Sequence, residues 1–148
     1  MEPNILRLAI QKKGRLAEKS LELLKSTGIR IENYSRQLLI KAQNFNLELL
    51  FIRDDDIPEY VRDGVADIGI VGENVIYESG KELDAVEKLG FGKCRMSIAV
   101  PKRNEFNSIK DLQGKNIATT YPKILQKYLD ENNNSGLAGI DRLNLTFS

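Results

Sequence analysis

The stretch Leu47–Val75, LELLFIRDDDIPEYVRDGVADIGIVGENV, runs an apolar strand into an arginine and three adjacent aspartates. A short helix near Pro58–Asp63 follows, stopped by Gly64, and then come a small apolar strand, ADIGIVG, and the first turns of another helix, ENVIYES. Strands that alternate with helices predict a mostly parallel sheet with helices on both faces. Such sheets bind ligands outside the carboxyl ends of their strands, which is where Arg53 and the aspartates fall.

Working outward, NILRLAI (Asn4–Ile10) reads as a buried first strand. GRLAEKSLELLKSTG reads as a helix with Leu16, Ala17, Leu21 and Leu24 on one side and Gly28 as its stop. RQLLIKAQ and NLELLFI give two further strands across a turn containing Asn44 and Asn46. Beyond Gly80 the order repeats: AVEKLGF and RMSIAVP as strands, SIKDLQG as a short helix, KNIATT as a strand and YPKILQKYLDEN as a helix. After Asn132, NNNSGLAGIDRLNLTFS opens with linker composition and ends with residues apolar enough for one strand.

Composition narrows the chemistry. The 148 residues are enough for one domain or two small lobes. Lys and Arg total 22 against 21 Asp and Glu, which gives no overall field for nucleic acid or an anionic membrane. No apolar run approaches the roughly 20 residues that cross a bilayer, and MEPNILRLAIQKKGR lacks the zones of a signal peptide, so a cytoplasmic location is expected. The single cysteine, Cys94, fits a reducing compartment and reads as a packing residue. With no histidine, Ser/His/Asp triads, Cys/His dyads and His-ligated zinc are all excluded.

Three neighbouring aspartates on an extended backbone point to opposite faces, so Asp54, Asp55 and Asp56 form no ready metal cage. Capping by Asp55 or Asp56 ahead of Pro58 accounts for one carboxylate and leaves the others, with Arg53, at a strand end. QKKGR gathers Lys12, Lys13 and Arg15 around Gly14 between strand and helix, a place where phosphates bind, although a solvated basic turn has the same sequence. VGENV puts Glu73 and Asn74, and ATTYPK puts Thr119, Thr120 and Tyr121, at equivalent junctions, again with ordinary capping as the alternative. Four such loops in one chain point to a ligand cleft.

RLAIQKKGRL, RDDDIPEYVRDGVADIGIVGEN, KLGFGKCRMSIAVP and GKNIATTYPKILQKYL, in this order, resemble the catalytic core of ATP phosphoribosyltransferase over about Ile5–Asn132. The resemblance implies a glycosyltransferase that joins N1 of ATP to phosphoribosyl pyrophosphate in the first step of histidine biosynthesis, with Mg2+ accompanying the substrate phosphates. It implies an α/β fold of two lobes, similar to type II periplasmic binding proteins. The first lobe would cover 1–95, with an incomplete second lobe starting over 96–132 and a linker-like tail over 133–148. By the same resemblance Lys12 and Arg15 touch substrate phosphates, Arg53 and Asp55 lie in the nucleotide cleft, and Glu73, Asn74, Thr119, Thr120 and Tyr121 line it.

The tail SGLAGIDRLNLTFS does not match the family's phosphoribosyl-pyrophosphate loop, an acidic strand end running into Ser/Thr-Gly-x-Thr-Leu. A truncated form, inactive alone, is therefore expected, and the exposed edges of an unfinished sheet favour association, such as a homo-oligomer. The competing reading is a small-ligand-binding or sensor module on the same two-lobed fold.

Overall fold

The computed structural model describes residues 4–32, 37–134 and 144–147. The chain divides into two compact units, Met1–Cys94 and Arg95–Ser148.

In the first unit β1 (Leu6–Gln11), β2 (Leu39–Lys41), β3 (Leu47–Ile52) and β4 (Ile68–Gly69) form one mixed sheet in the order β2-β3-β1-β4. β1 lies parallel to β3, with Leu8 opposite Leu49 and Ile10 opposite Phe51, and parallel to β4 on its other side. β2 runs antiparallel to β3. Asn44 secures the turn between these two strands: its side chain accepts from the Arg30 amide at 2.8 Å and donates to the Gly28 carbonyl at 2.8 Å.

β1 is buried on both faces, and successive side chains serve different cores. Leu8 and Ile10 pack with Leu47, Leu49 and Phe51 of β3 and with Leu21 and Leu24 of α1 (Arg15–Ser26). Ala9 faces the other way, into a cluster with Ile57 and Ala66 that Val61 of α2 (Ile57–Arg62) joins. One helix therefore covers each face, which is the layered α/β arrangement that the strand-helix alternation predicts. The small side of that sandwich depends on Gly69, because a Cβ there would sit 2.6 Å from Ile57 Cγ2 and 3.1 Å from Val61 Cγ2.

Arg7 fastens the opposite end of β1. Its guanidinium donates to Glu48 Oε2 at 3.0 Å and to the Val65 carbonyl at 3.2 Å, and its amide donates to Asp67 Oδ2 at 2.7 Å. After β4 the chain forms α3 (Glu73–Ser79), closed by Gly80 in the left-handed conformation at φ 65°.

In the second unit a 3-10 turn, Ile109–Leu112, leads to β5 (Asn116–Thr119) and α4 (Pro122–Asn134), and β6 (Asn144–Phe147) pairs parallel with β5. Leu112, Leu125 and Leu129 form its core, with Ile109 and Ile117 against them. The apolar end of the tail thus supplies a strand. Among the described residues no helix is long and apolar enough to cross a membrane.

Two expected strands are absent. AVEKLGF and RMSIAVP have no ladder partner among the described residues, Gly90 within the first sits at φ 77°, and Val86 is 86% exposed. Alternating apolar residues make a segment suited to a strand, but a strand exists only when a neighbour takes its backbone hydrogen bonds. The expected cap on α2 also differs. Asp56 occupies the cap position in helical conformation without a side-chain bond, because Asp54–Asp56 have already wound into a 3-10 turn; Asp54 Oδ1 instead accepts the Asp55 amide at 3.0 Å.

Candidate functional site

Because β1, β3 and β4 are parallel, their carboxyl ends lie along one edge of the first unit's sheet, and three loops leave from there. The Lys12 amide donates to the Ile52 carbonyl at 2.9 Å, which sets QKKGR beside RDDD. The Ile70 amide donates to the Ala9 carbonyl at 3.0 Å, which draws the VGEN loop to the other side of β1. α3 then packs against the 3-10 turn Asp54–Asp56. Five of the expected site residues, Lys12, Arg15, Arg53, Asp55 and Glu73, stand exposed on these loops and helix starts, with Asn74 half-buried beside them.

Gly14 opens α1 at φ 95° and ψ −177°, a conformation that a side chain rarely adopts, so QKKGR can turn sharply and leave amides facing outward. At Gly72 the constraint is space rather than φ: a Cβ there would run into Asn74 Oδ1. Arg53 lies 3.6 Å from Asp55, with the two side chains 79% and 65% exposed. A pair this open is weak and exchanges readily for a ligand's charges. Glu73 pairs with Lys88 Nζ at 3.3 Å.

Thr119, Thr120 and Tyr121 lie at the carboxyl end of β5 in the second unit, where Thr119 Oγ1 accepts the Tyr121 amide at 3.0 Å and the Tyr121 carbonyl accepts the Leu125 amide at 3.0 Å. They form that unit's own strand-to-helix junction.

A cavity of about 560 Å³ adjoins the basic loop and is lined by Lys12, Lys13 and Gly14 together with Glu18, Glu22 and Lys25 of α1. It includes Lys12 but not Arg15, Arg53, Asp55, Glu73 or Asn74. Glu18, Glu22 and Lys25 were not among the residues singled out in the sequence. Their spacing of four and three, continuing from Gly14 on one side of α1, was the signal available.

A magnesium ion keeps several of its waters and is usually held by one or two carboxylates together with substrate phosphates, so a resident ion without substrate needs a denser set of ligands. The described residues contain no group of three or more Asp, Glu, Cys or His placed to hold a metal. This arrangement does not fit a resident ion.

The ATP phosphoribosyltransferase family model (HisG) matches residues 53–142, from the arginine of RDDD through the β5 junction into the tail. The chain belongs to the ATP phosphoribosyltransferase family. An ATP phosphoribosyltransferase of Cytophaga hutchinsonii is 59% identical over 129 residues, covering 87% of this chain and 45% of its own length. That of Parabacteroides distasonis is 50% identical over 127 residues, covering 86% of this chain and again 45% of its own. The chain thus spans about half the length of the curated relatives it matches. A solved structure, the ATP phosphoribosyl transferase (HisG:HisZ) complex from Thermotoga maritima, superposes with a TM-score of 0.62 at 27% identity over 97% of this chain and 64% of that one. Arg53, Asp55, Glu73, Asn74, Thr119, Thr120 and Tyr121 all lie inside the stretch that the ATP phosphoribosyltransferase model matches.

Proposed function

We propose that the chain carries the nucleotide-side portion of an ATP phosphoribosyltransferase, a glycosyltransferase acting at the first step of histidine biosynthesis. The supporting observation is the meeting of QKKGR, RDDD and VGEN at the carboxyl ends of three parallel strands in a member of that family. In the reaction the bond from the anomeric carbon to pyrophosphate breaks, the bond from that carbon to N1 of ATP forms, and the electron pair leaves with pyrophosphate. Positive charge builds on the sugar while negative charge builds on the leaving group.

Such a step needs positioning and charge neutralisation rather than a nucleophilic side chain, which suits a chain without histidine. Lys12 and Arg15 meet substrate phosphates as charged donors beside the amides that open α1. Arg53 and Asp55 separate to hold the nucleotide, Arg53 through its charge and Asp55 by accepting hydroxyl or amino protons. Glu73 and Asn74 add acceptors and donors from α3, and Thr119, Thr120 and Tyr121 are assigned to substrate contact as hydroxyls and a ring at the β5 junction. Magnesium, bound to the substrate phosphates, would shield their charge.

The complete enzyme in this reading has two α/β lobes of the type II periplasmic-binding-protein kind and works in the cytoplasm as a homo-oligomer. Its sugar-phosphate cradle comes from sequence that the longer relatives have beyond the part spanned here. Loss of even one preorganised donor costs about 3 kcal/mol, or roughly a hundredfold in rate, so these 148 residues alone turn over far more slowly than a full-length relative. The test is the rise in ultraviolet absorbance when purified protein is mixed with ATP, phosphoribosyl pyrophosphate and magnesium. The expected result is negligible turnover with ATP still bound. Turnover equal to that of the Cytophaga hutchinsonii enzyme would overturn the division of the site.

A further inference from the structure

Lys88 brings a cation to the carboxyl edge of the first unit from a stretch of chain with no secondary structure of its own. Among the described residues no backbone group of 82–93 makes a hydrogen bond. Two contacts place the stretch at the starts of helices instead. Lys88 Nζ lies 3.3 Å from Oε1 of Glu73, the first residue of α3. Gly92 lies against Leu16, the second residue of α1, so closely that a Cβ there would sit 3.2 Å from Leu16 Cδ1. All four residues belong to the first unit, and both helices begin beyond the carboxyl ends of its parallel strands. Residues 88–92 therefore reach from the VGEN side of that edge to the QKKGR side.

The pair of Lys88 and Glu73 does little for folding, because its side chains are 82% and 55% exposed and pairs this open are weak. Its place on the edge gives it another use. Glu73 sets a negative charge beside the loops assigned to a triphosphate, and like charges brought together at a binding surface oppose association. We infer, on the nucleotide reading of this edge, that Lys88 is a positioning residue for a polyanionic nucleotide. By holding Glu73 Oε1 it offsets the charge of the carboxylate and leaves the second oxygen to accept from a hydroxyl or amino group of the ligand. A lysine suits this task, because its ammonium is a compact charge on a flexible stem that can follow the carboxylate as the ligand enters. Lys88 acts through Glu73, and its loss is felt in proportion to the charge of the ligand.

The test is calorimetric titration of ATP and of uncharged adenosine into the wild-type chain, Lys88→Met, Lys88→Arg, Glu73→Gln and the double variant Lys88→Met with Glu73→Gln. Lys88→Met is expected to bind ATP about threefold to fivefold more weakly at low salt, with the loss shrinking as salt rises, and to bind adenosine like the wild type. Its urea midpoint should stay that of the wild type, and Lys88→Arg should restore the ATP affinity. In the Glu73→Gln background the same lysine change is expected to alter ATP affinity by less than about twofold, since the charge that Lys88 offsets is gone. The inference is overturned by wild-type ATP affinity in Lys88→Met, by equal losses for ATP and adenosine, or by an undiminished loss in the Glu73→Gln background. If Arg15→Ala and Arg53→Ala weaken ATP binding and Lys88→Met does not, the role of Lys88 alone fails; if the wild type binds neither ligand, the nucleotide reading fails and the role of Lys88 with it.

Discussion

The Lys12 amide donates to the Ile52 carbonyl across 2.9 Å, so the loop after β1 and the loop after β3 leave the sheet side by side. Charges from sequence positions far apart, those of QKKGR and of Arg53, thereby come to one edge. The bond depends on the parallel register that pairs Gln11 with Ile52, and that register is held by the apolar residues along both strands.

The packing of α2 against the sheet is the tightest point behind this edge. Gly69→Ala places a methyl 2.6 Å from Ile57 Cγ2, and Ile57 is fully buried. Overpacking of this kind costs about 1–3 kcal/mol. Urea unfolding followed by circular dichroism is expected to show a lowered midpoint, whereas Gly114→Ala meets no neighbouring atom and is expected to cost only the smaller strain of its φ of 69°.

Leu49 is fully buried at the centre of the first unit's larger core. Leu49→Ala is expected to cost about 2–5 kcal/mol, with the spread set by how far the cavity collapses. Leu38→Ala, at a residue 59% exposed, is the matched control and should leave the unfolding midpoint nearly unchanged.

Asp111 gives the second unit an acid-sensitive turn. Its Oδ2 accepts the Asn107 amide at 2.8 Å and the Ser108 amide at 3.1 Å, and these two backbone bonds hold its carboxyl below the usual carboxylate range. A lowered folded value means that the stabilisation is fully present above the unfolded value and is lost as pH falls through the folded one. Amide resonances of Asn107 and Ser108 are therefore expected to move with a midpoint below that of an ordinary aspartate and to be flat at neutral pH. In Asp111→Asn the movement should vanish.

No cluster of carboxylates among the described residues suits a metal, so calorimetric titration of magnesium into the ligand-free protein is expected to show no tight site. Tight binding that disappears in Asp54→Asn would contradict this.

Much of the first unit was legible in the sequence because its signals are local. The spacing of Ala17, Leu21 and Leu24 marks α1, the alternation in LELLFI marks β3, and left-handed glycines close α1 and α3. Residues 85–101 misled because side-chain alternation says nothing about whether a partner strand is present. The aspartates misled because three in a row can wind into a 3-10 turn before the helix begins, which removes the geometry of a cap. One legible signal was passed over: the Ser-x-x-Asp spacing of Ser108 and Asp111, which forms a capping box. As for the candidate site, the sequence located its loops, because they fall at strand-to-helix junctions. The cavity beside α1 requires helical side chains to be brought against the basic loop, which is a tertiary fact.

The central claim, that the edge formed by QKKGR, RDDD and VGEN receives a nucleotide, is tested most directly by calorimetric titration of ATP into the wild type and into Arg15→Ala and Arg53→Ala at fixed ionic strength. A lost hydrogen bond to a charged group is worth about 1.5–3 kcal/mol, so each variant should bind ATP roughly tenfold or more weakly. Lys127→Ala, which removes a cation paired with Glu131 at 3.9 Å on α4, should bind like the wild type. Equal ATP affinity in all four proteins, or no binding by the wild type, would contradict the account and reduce these loops to solvated caps.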